Sequence, residues 1–71
     1  MNKKIKQINN LIRGEMRAKK ITQADLAYYI GLDRSSFSLS LSGKRTWKIS
    51  ELLGVGERLE ILNDIAEIIG G

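Results

Sequence analysis

The chain predicts an all-α domain, a compact bundle of about five helices. Three observations predict it. Apolar residues recur at spacings of three and four along most of the sequence. Proline is absent, and Lys, Glu, Leu and Ile are abundant, a composition that favours helix. The apolar stretches are bracketed by Thr22, Asp33 and Ser50 before them and by Gly31 and Gly43 after them, the residue types that open and close helices.

The elements follow in order. Ile5, Ile8, Ile12 and Met16, with Leu11 beside them, form one stripe and predict a first helix over 3–19. Arg17, Lys19 and Lys20 gather at its end, where cations meet the negative pole of the helix. Thr22 then caps a second helix over 23–30, and Asp25 three residues on makes a loose capping box. Leu26, Ala27 and Ile30 form its inner face, and Gly31 ends it in a left-handed turn. Asp33 caps a third helix over 34–41. Phe37 and Leu41, four apart, point inward with Leu32 nearby; Arg34, Ser35, Ser38 and Ser42 point outward. Gly43 stops this helix. Trp47, in the loop that follows, either covers the core or sits at an interface.

Ser50 caps a short helix over 50–53, and Gly54 and Gly56 interrupt the chain. A last helix is expected over 56–69, with Leu59, Leu62, Ala66 and Ile69 on one stripe and Ile61, Ile65 and Ile68 on a second. Two stripes exceed what one helix needs to dock. Either both stripes are buried within the monomer, or the surplus face is a partner surface, for which Leu59, Ile61, Ile65 and Ile68 are the candidates.

Composition narrows the chemistry. At 71 residues the expected organisation is one small domain with little room for an enclosed active site. There is no Cys and no His, which removes disulfides, thiolate nucleophiles, ordinary zinc sites and imidazole catalysis. No catalytic residue, metal or cofactor is expected. No apolar run reaches the ~20 residues of a membrane span, so the expected setting is the cytoplasm.

The net charge of +4 is unevenly spread. Residues 1–48 carry eleven basic groups and three acidic ones; residues 49–71 carry one basic group and five acidic ones. A basic face for a polyanion, with an acidic end held away from it, fits that division.

Two short helices joined by a glycine turn, the second with a polar outer face, describe a helix-turn-helix over 22–42. The stretch IRGEMRAKKITQADLAYYIGLDRSSFSLSLSGKRTW, Ile12 to Trp47, resembles the Cro and phage-repressor type of that family. The ordered set Ile21-Thr22-Gln23, Leu26-Ala27, Ile30-Gly31-Leu32, Ser35, Phe37 and Gly43-Lys44-Arg45 carries the resemblance. Asp33, Leu39 and Lys20 depart from the family's usual pattern. Asp33 stands where Ser or Thr is common, Leu39 where a polar residue is common, and Lys20 where Gly often closes the first helix.

The resemblance implies a lambda-repressor-like fold and a Cro-like DNA-binding regulator in a phage or mobile-element switch, acting on the nucleoid of a bacterial host. Arg34, Ser35 and Ser38 then meet base edges. Gln23, Ser36, Ser42, Lys44 and Arg45 meet phosphates, and Phe37 plugs the motif. Arg34 can instead clamp a phosphate or pair with Asp33. Arg17 and Lys19 are read as outlying charges with long-range effect. The partners implied are double-stranded DNA and a second copy of the chain. The alternative is a protein-interaction regulator, an antirepressor or partner subunit that binds a second repressor; Leu39 and the apolar last helix favour it.

Overall fold

The computed structural model describes residues 2–71, and these form five helices with no strand among them. They are α1 (Lys3–Lys19), α2 (Gln23–Ile30), α3 (Arg34–Leu41), α4 (Ile49–Leu59) and α5 (Leu62–Gly70). The radius of gyration is 10.9 Å, against about 11 Å for a close-packed chain of this length.

The first three helices run over the residues that the spacing predicts, and local chemistry explains why. Thr22 and Asp25 form a reciprocal capping box: Asp25 N–H donates to Thr22 Oγ1 and Thr22 N–H to Asp25 Oδ2, each at 3.1 Å. Asp33 opens α3 by accepting from Ser36 N–H at 2.9 Å. These caps satisfy donors that a helix start leaves free.

The second half differs from its expected form. The short helix and the break at Gly54 and Gly56 do not exist; α4 passes straight through both glycines. It opens at Ile49, with Lys48 rather than Ser50 as its cap, and Lys48 N–H donates to Glu51 Oε1 at 2.9 Å. The glycines serve contact, not turning. A Cβ on Gly54 would lie 2.8 Å from Ile30 Cγ2, and one on Gly56 would lie 2.8 Å from Leu62 Cδ1 and 3.2 Å from Leu62 Cα. They let α2 and the start of α5 approach α4 closely, against the ~1 kcal/mol that each glycine costs a helix interior.

The real break lies at Glu60, where φ is 60°. Three helices share this ending with an apolar residue after it, and α3 makes the same backbone turn at Gly43 with Lys44 after it. Lys20, Gly31 and Glu60 each adopt the left-handed conformation. The next residue's N–H reaches back to the last turn: Ile21 to Met16 O, Leu32 to Ala27 O and Ile61 to Gly56 O, each at 2.9 Å. In each case an apolar side chain then folds against the core, the paired signature of this helix end.

The core joins Ile8, Ile12 and Met16 of α1 to Leu26, Ala27, Phe37, Leu41, Leu52, Val55 and Leu59. Trp47 closes it, 6% exposed, with its ring 5.4 Å from that of Phe37 in an edge-on contact. Leu59, Ile61 and Ile65 also belong to the core, at 0, 3 and 4% exposure. They are therefore not a free partner surface. Once α5 begins at Leu62 rather than Gly56, its stripes fall on different sides, and Ile68 too is packed against the core.

Candidate nucleic-acid interface

α3 packs against α2 and turns its polar side outward. Gln23, Arg34, Ser35, Ser38 and Leu39 line one open cleft of about 630 Å³. Arg34, Ser35 and Ser38 are exposed, and among the described residues no carboxylate pairs with Arg34. The expected base-contacting residues thus lie together, with Gln23 at the start of α2 beside them.

Gln23 borders a second cleft of about 520 Å³, which it shares with Arg13, Arg17, Lys20, Thr22 and the apolar edges of Met16, Ile21 and Leu41. Arg13, Arg17 and Lys20 stand at steps of four and three along α1, so they share a face. That spacing is the signal by which Arg17 and Lys20 can be read as site residues rather than distant charges. Lys19 turns the other way. It pairs with Glu15 at 3.2 Å, approaches Glu60 at 3.9 Å, and donates to the carbonyl of Leu59.

The end of α3 is held from all sides. The last four carbonyls of a helix lack partners within it, and here each has one. Ser38 O accepts from Ser42 N–H at 3.0 Å. Leu39 O accepts from the N–H groups of Lys44 and Arg45 at 2.9 and 3.2 Å and from Ser42 Oγ at 3.0 Å. Ser40 O accepts from Gly43 N–H at 3.1 Å and Asn9 Nδ2 at 3.2 Å. Leu41 O accepts from Arg13 Nη2 at 2.7 Å. Gly43, with φ at 84°, makes the tight turn that brings the loop's N–H groups round.

Asn9 is the hub of this arrangement. It is 1% exposed, and its Oδ1 accepts from Trp47 Nε1 at 2.8 Å while its amide nitrogen holds Ser40 O. One amide thus ties α1 to the end of α3 and to the loop tryptophan. Asn9 and Arg13 in this anchoring role were not among the residues singled out from the sequence.

Two expected phosphate contacts are engaged internally. Arg45 grips Glu51 with both arms, Nη1–Oε1 at 2.8 Å and Nη2–Oε2 at 3.0 Å, and donates to the buried Ser40 Oγ at 2.8 Å. Its guanidinium holds the Glu51 carboxyl below the usual carboxylate range, and Glu51 raises the pKa of Arg45 in return. The hydroxyl of Ser42 donates its proton to Leu39 O. Ser36 is half-buried and lies outside the lining of the α3 cleft. Lys44 is exposed, with its ammonium in no ion pair among the described residues. Asp33 is not a loose negative charge. Its bond from Ser36 N–H lowers its pKa and spends its carboxylate on the cap.

A third surface is apolar. Ile49, Leu52 and Leu53 of α4 and Leu62, Ile65, Ala66 and Ile69 of α5 line a groove of about 140 Å³. Ile49, Leu53, Leu62 and Ile69 are 70, 49, 38 and 50% exposed. No helix among the described residues is long and apolar enough to cross a membrane. No protein-family model, curated protein or solved structure matches the chain.

Proposed function

We propose that this chain is a sequence-specific DNA-binding regulator of the helix-turn-helix, lambda-repressor-like type, acting as a Cro-like repressor of a phage or mobile-element switch in the bacterial cytoplasm. The observation that supports it best is the cleft of Gln23, Arg34, Ser35 and Ser38 on the exposed side of α3. A helix of this kind enters the major groove and meets base edges with its first turns. Serines keep the helix short-sided, so the backbone comes close. Arg34 is the residue able to grip a guanine with two bonds, worth ~1–3 kcal/mol of discrimination.

Gln23 and Lys44 take phosphates on either side, and Arg17 and Lys20 extend the cationic rim beyond Gln23. Arg45 and Ser42 act from inside, by fixing the loop that carries Lys44. An eight-residue α3 meets few bases, so a second copy is part of the proposal, with half-sites ~34 Å apart. It docks on the α4–α5 groove, whose wall holds no polar lining and whose helices carry four of the eight acidic groups and a single basic one. That placement leaves the basic side of the molecule for DNA.

Binding to duplexes selected from a random pool tests this directly. Affinity should fall steeply with salt, by about 0.9 log units per log unit of salt for each phosphate neutralised. Arg34→Ala should relax preference at one base pair, whereas Lys44→Ala should weaken all sequences alike and reduce the salt slope by about 1. Absence of duplex binding at ~50 mM salt, where phosphate contacts are strong, would rule the reading out.

Sedimentation of Leu53→Glu and Ile69→Glu tests the groove. A dimer that survives both removes the dimer claim there. Ile65→Glu is the wrong probe, because Ile65 is buried. The groove also favours a second reading, in which the chain keeps this fold but works by binding another repressor. Under it, those two substitutions abolish regulation while leaving duplex binding unchanged.

A further inference from the structure

Leu39 is an exposed apolar side chain on the polar side of α3, at 45% exposure. It lines the same cleft as Arg34, Ser35, Ser38 and Gln23, and it stands four residues from Ser35, one turn along the same face. Its backbone carbonyl is held at several points. Three donors converge on its carbonyl, from Ser42, Lys44 and Arg45, and Asn9 and Arg13 secure the next two carbonyls. The side chain is thus presented at a fixed height among hydroxyls.

A protein partner is a poor match for this residue. Of the other exposed large apolar side chains, Ile49, Leu53, Leu62 and Ile69 border a separate groove, and Tyr28 and Tyr29 of α2 lie outside the lining of this cleft. Around Leu39 the cleft offers a guanidinium, two hydroxyls and an amide. What suits one isolated apolar group among hydrogen-bonding groups is a surface of the same mixed kind. The major-groove edge of DNA is such a surface: thymine presents an acceptor oxygen and, next to it, a C5-methyl group.

Building on the DNA-binding reading, we propose that Leu39 reads the C5-methyl of a thymine, so that the preferred half-site carries a T opposite it. The recognition is apolar contact alone. It therefore follows the methyl and not the base, and 5-methylcytosine at that position partly replaces thymine where cytosine does not. Leu39 sets specificity at one base pair; Arg34 and the serines read its neighbours.

Removing the methyl without touching any hydrogen-bonding group isolates the effect. The full chain is used to select its best duplex, and each thymine is then replaced singly by deoxyuridine. Affinities are measured by fluorescence anisotropy at fixed salt. At one position per half-site, uracil should weaken binding by about three- to fivefold, the worth of one buried methyl. Leu39→Ala, whose fold is checked by its thermal melt, should lower affinity for the thymine duplex and lose the uracil penalty. Leu39→Met should keep the penalty.

Uracil tolerated at every position overturns the proposal. So does a uracil penalty of the same size in Leu39→Ala, or an unchanged affinity of Leu39→Ala for every duplex, the result expected if Leu39 faces a protein. Selection of no duplex at all sinks the DNA-binding reading itself, a separate outcome.

Discussion

The ends of α3 and α4 share one local turn and differ in what is added to it. α4 closes locally: Glu60 turns left-handed, and Ile61 N–H returns to Gly56 O across five residues. α3 makes the same turn one residue past its last helical position: Gly43 is left-handed at φ 84°, and Lys44 N–H returns to Leu39 O across five residues. What α3 has in addition is a hold from afar, with Asn9 and Arg13 of α1, 31 and 28 residues away, donating to Ser40 O and Leu41 O. The difference follows from what each helix shows outside. α4 buries Leu52, Val55 and Leu59, and apolar packing holds it whatever its end does. α3 buries Phe37, Ser40 and Leu41 and turns the hydroxyls of Ser35 and Ser38 outward. A helix with so small an apolar side is steadied by polar bonds from its neighbours, and groups that bind in a set geometry need that steadying.

Breaking the remote anchor of α3 should have the largest effect. Asn9→Ala leaves Trp47 Nε1–H without its acceptor in a closed core and removes one of two donors from Ser40 O. An unsatisfied buried donor plus the lost bonds costs about 2–4 kcal/mol, a large part of the ~4–10 kcal/mol that a domain of this length holds. Urea unfolding followed by Trp47 fluorescence should show the loss. Gln7→Ala, nearby on α1 but exposed, should change stability by less than about 0.5 kcal/mol. Equal effects of the two would mean that the anchor contributes nothing.

The loop after α3 offers a smaller and pH-dependent test. Arg45 and Glu51 tie this loop to α4, and the Glu51 pKa is depressed chiefly by its bonds from Arg45. A carboxylate lowered on folding binds fewer protons in the folded state than in the unfolded one. Its stabilisation is complete above about pH 4.5, the ordinary glutamate value, and disappears as the pH falls through the lowered folded value. Glu51→Gln should therefore lower the melting temperature at neutral pH and make it fall less steeply in acid, with wild type and variant converging at low pH. Asp25 and Asp33, lowered by their cap bonds, keep part of the acid slope in both proteins. Parallel curves would show that the pair adds nothing to folding.

How much could be read in advance follows the same division. α2 and α3 are bounded by Thr22, Gly31, Asp33 and Gly43, signals that act within four residues. Their limits and inward residues, Leu26, Ala27, Phe37 and Leu41, are legible for that reason. The end of α4 is a local turn as well, but a glutamate makes it, while two glycines nearby suggest a break that does not occur. Those glycines answer to Ile30 and Leu62, contacts no local window contains. The same holds for the candidate site. Arg34, Ser35, Ser38 and Gln23 are legible as one face. That Arg45 is spent on Glu51, and that Asn9 and Arg13 hold α3, depends on tertiary neighbours. A clue existed for the helix ends: Lys20-Ile21, Gly31-Leu32 and Glu60-Ile61 share one pattern, a left-handed residue followed by an apolar one, and the glycine marks just one of them.

That shared pattern supports the finest test. Lys20 and Glu60 are the non-glycine residues with positive φ among the described residues, at 57° and 60°, and each carries a Cβ in a conformation that costs about 1 kcal/mol or more. Glycine removes that cost but gains freedom when unfolded. Lys20→Gly and Glu60→Gly should each stabilise the chain by about 0.5–1 kcal/mol, a few degrees in melting temperature. The backbone change is the same, so the stability gain should be similar. The functional consequence should not be. Lys20 borders the cationic cleft beside Gln23, so Lys20→Gly should weaken binding to all duplexes and reduce the salt slope by about 0.9, one phosphate. Glu60, beside Lys19 and Leu59, should leave both unchanged. Matching DNA affinities in these two stabilised variants would show that the basic cleft of α1 stands clear of the phosphates, and would confine the interface to α3 and its loop.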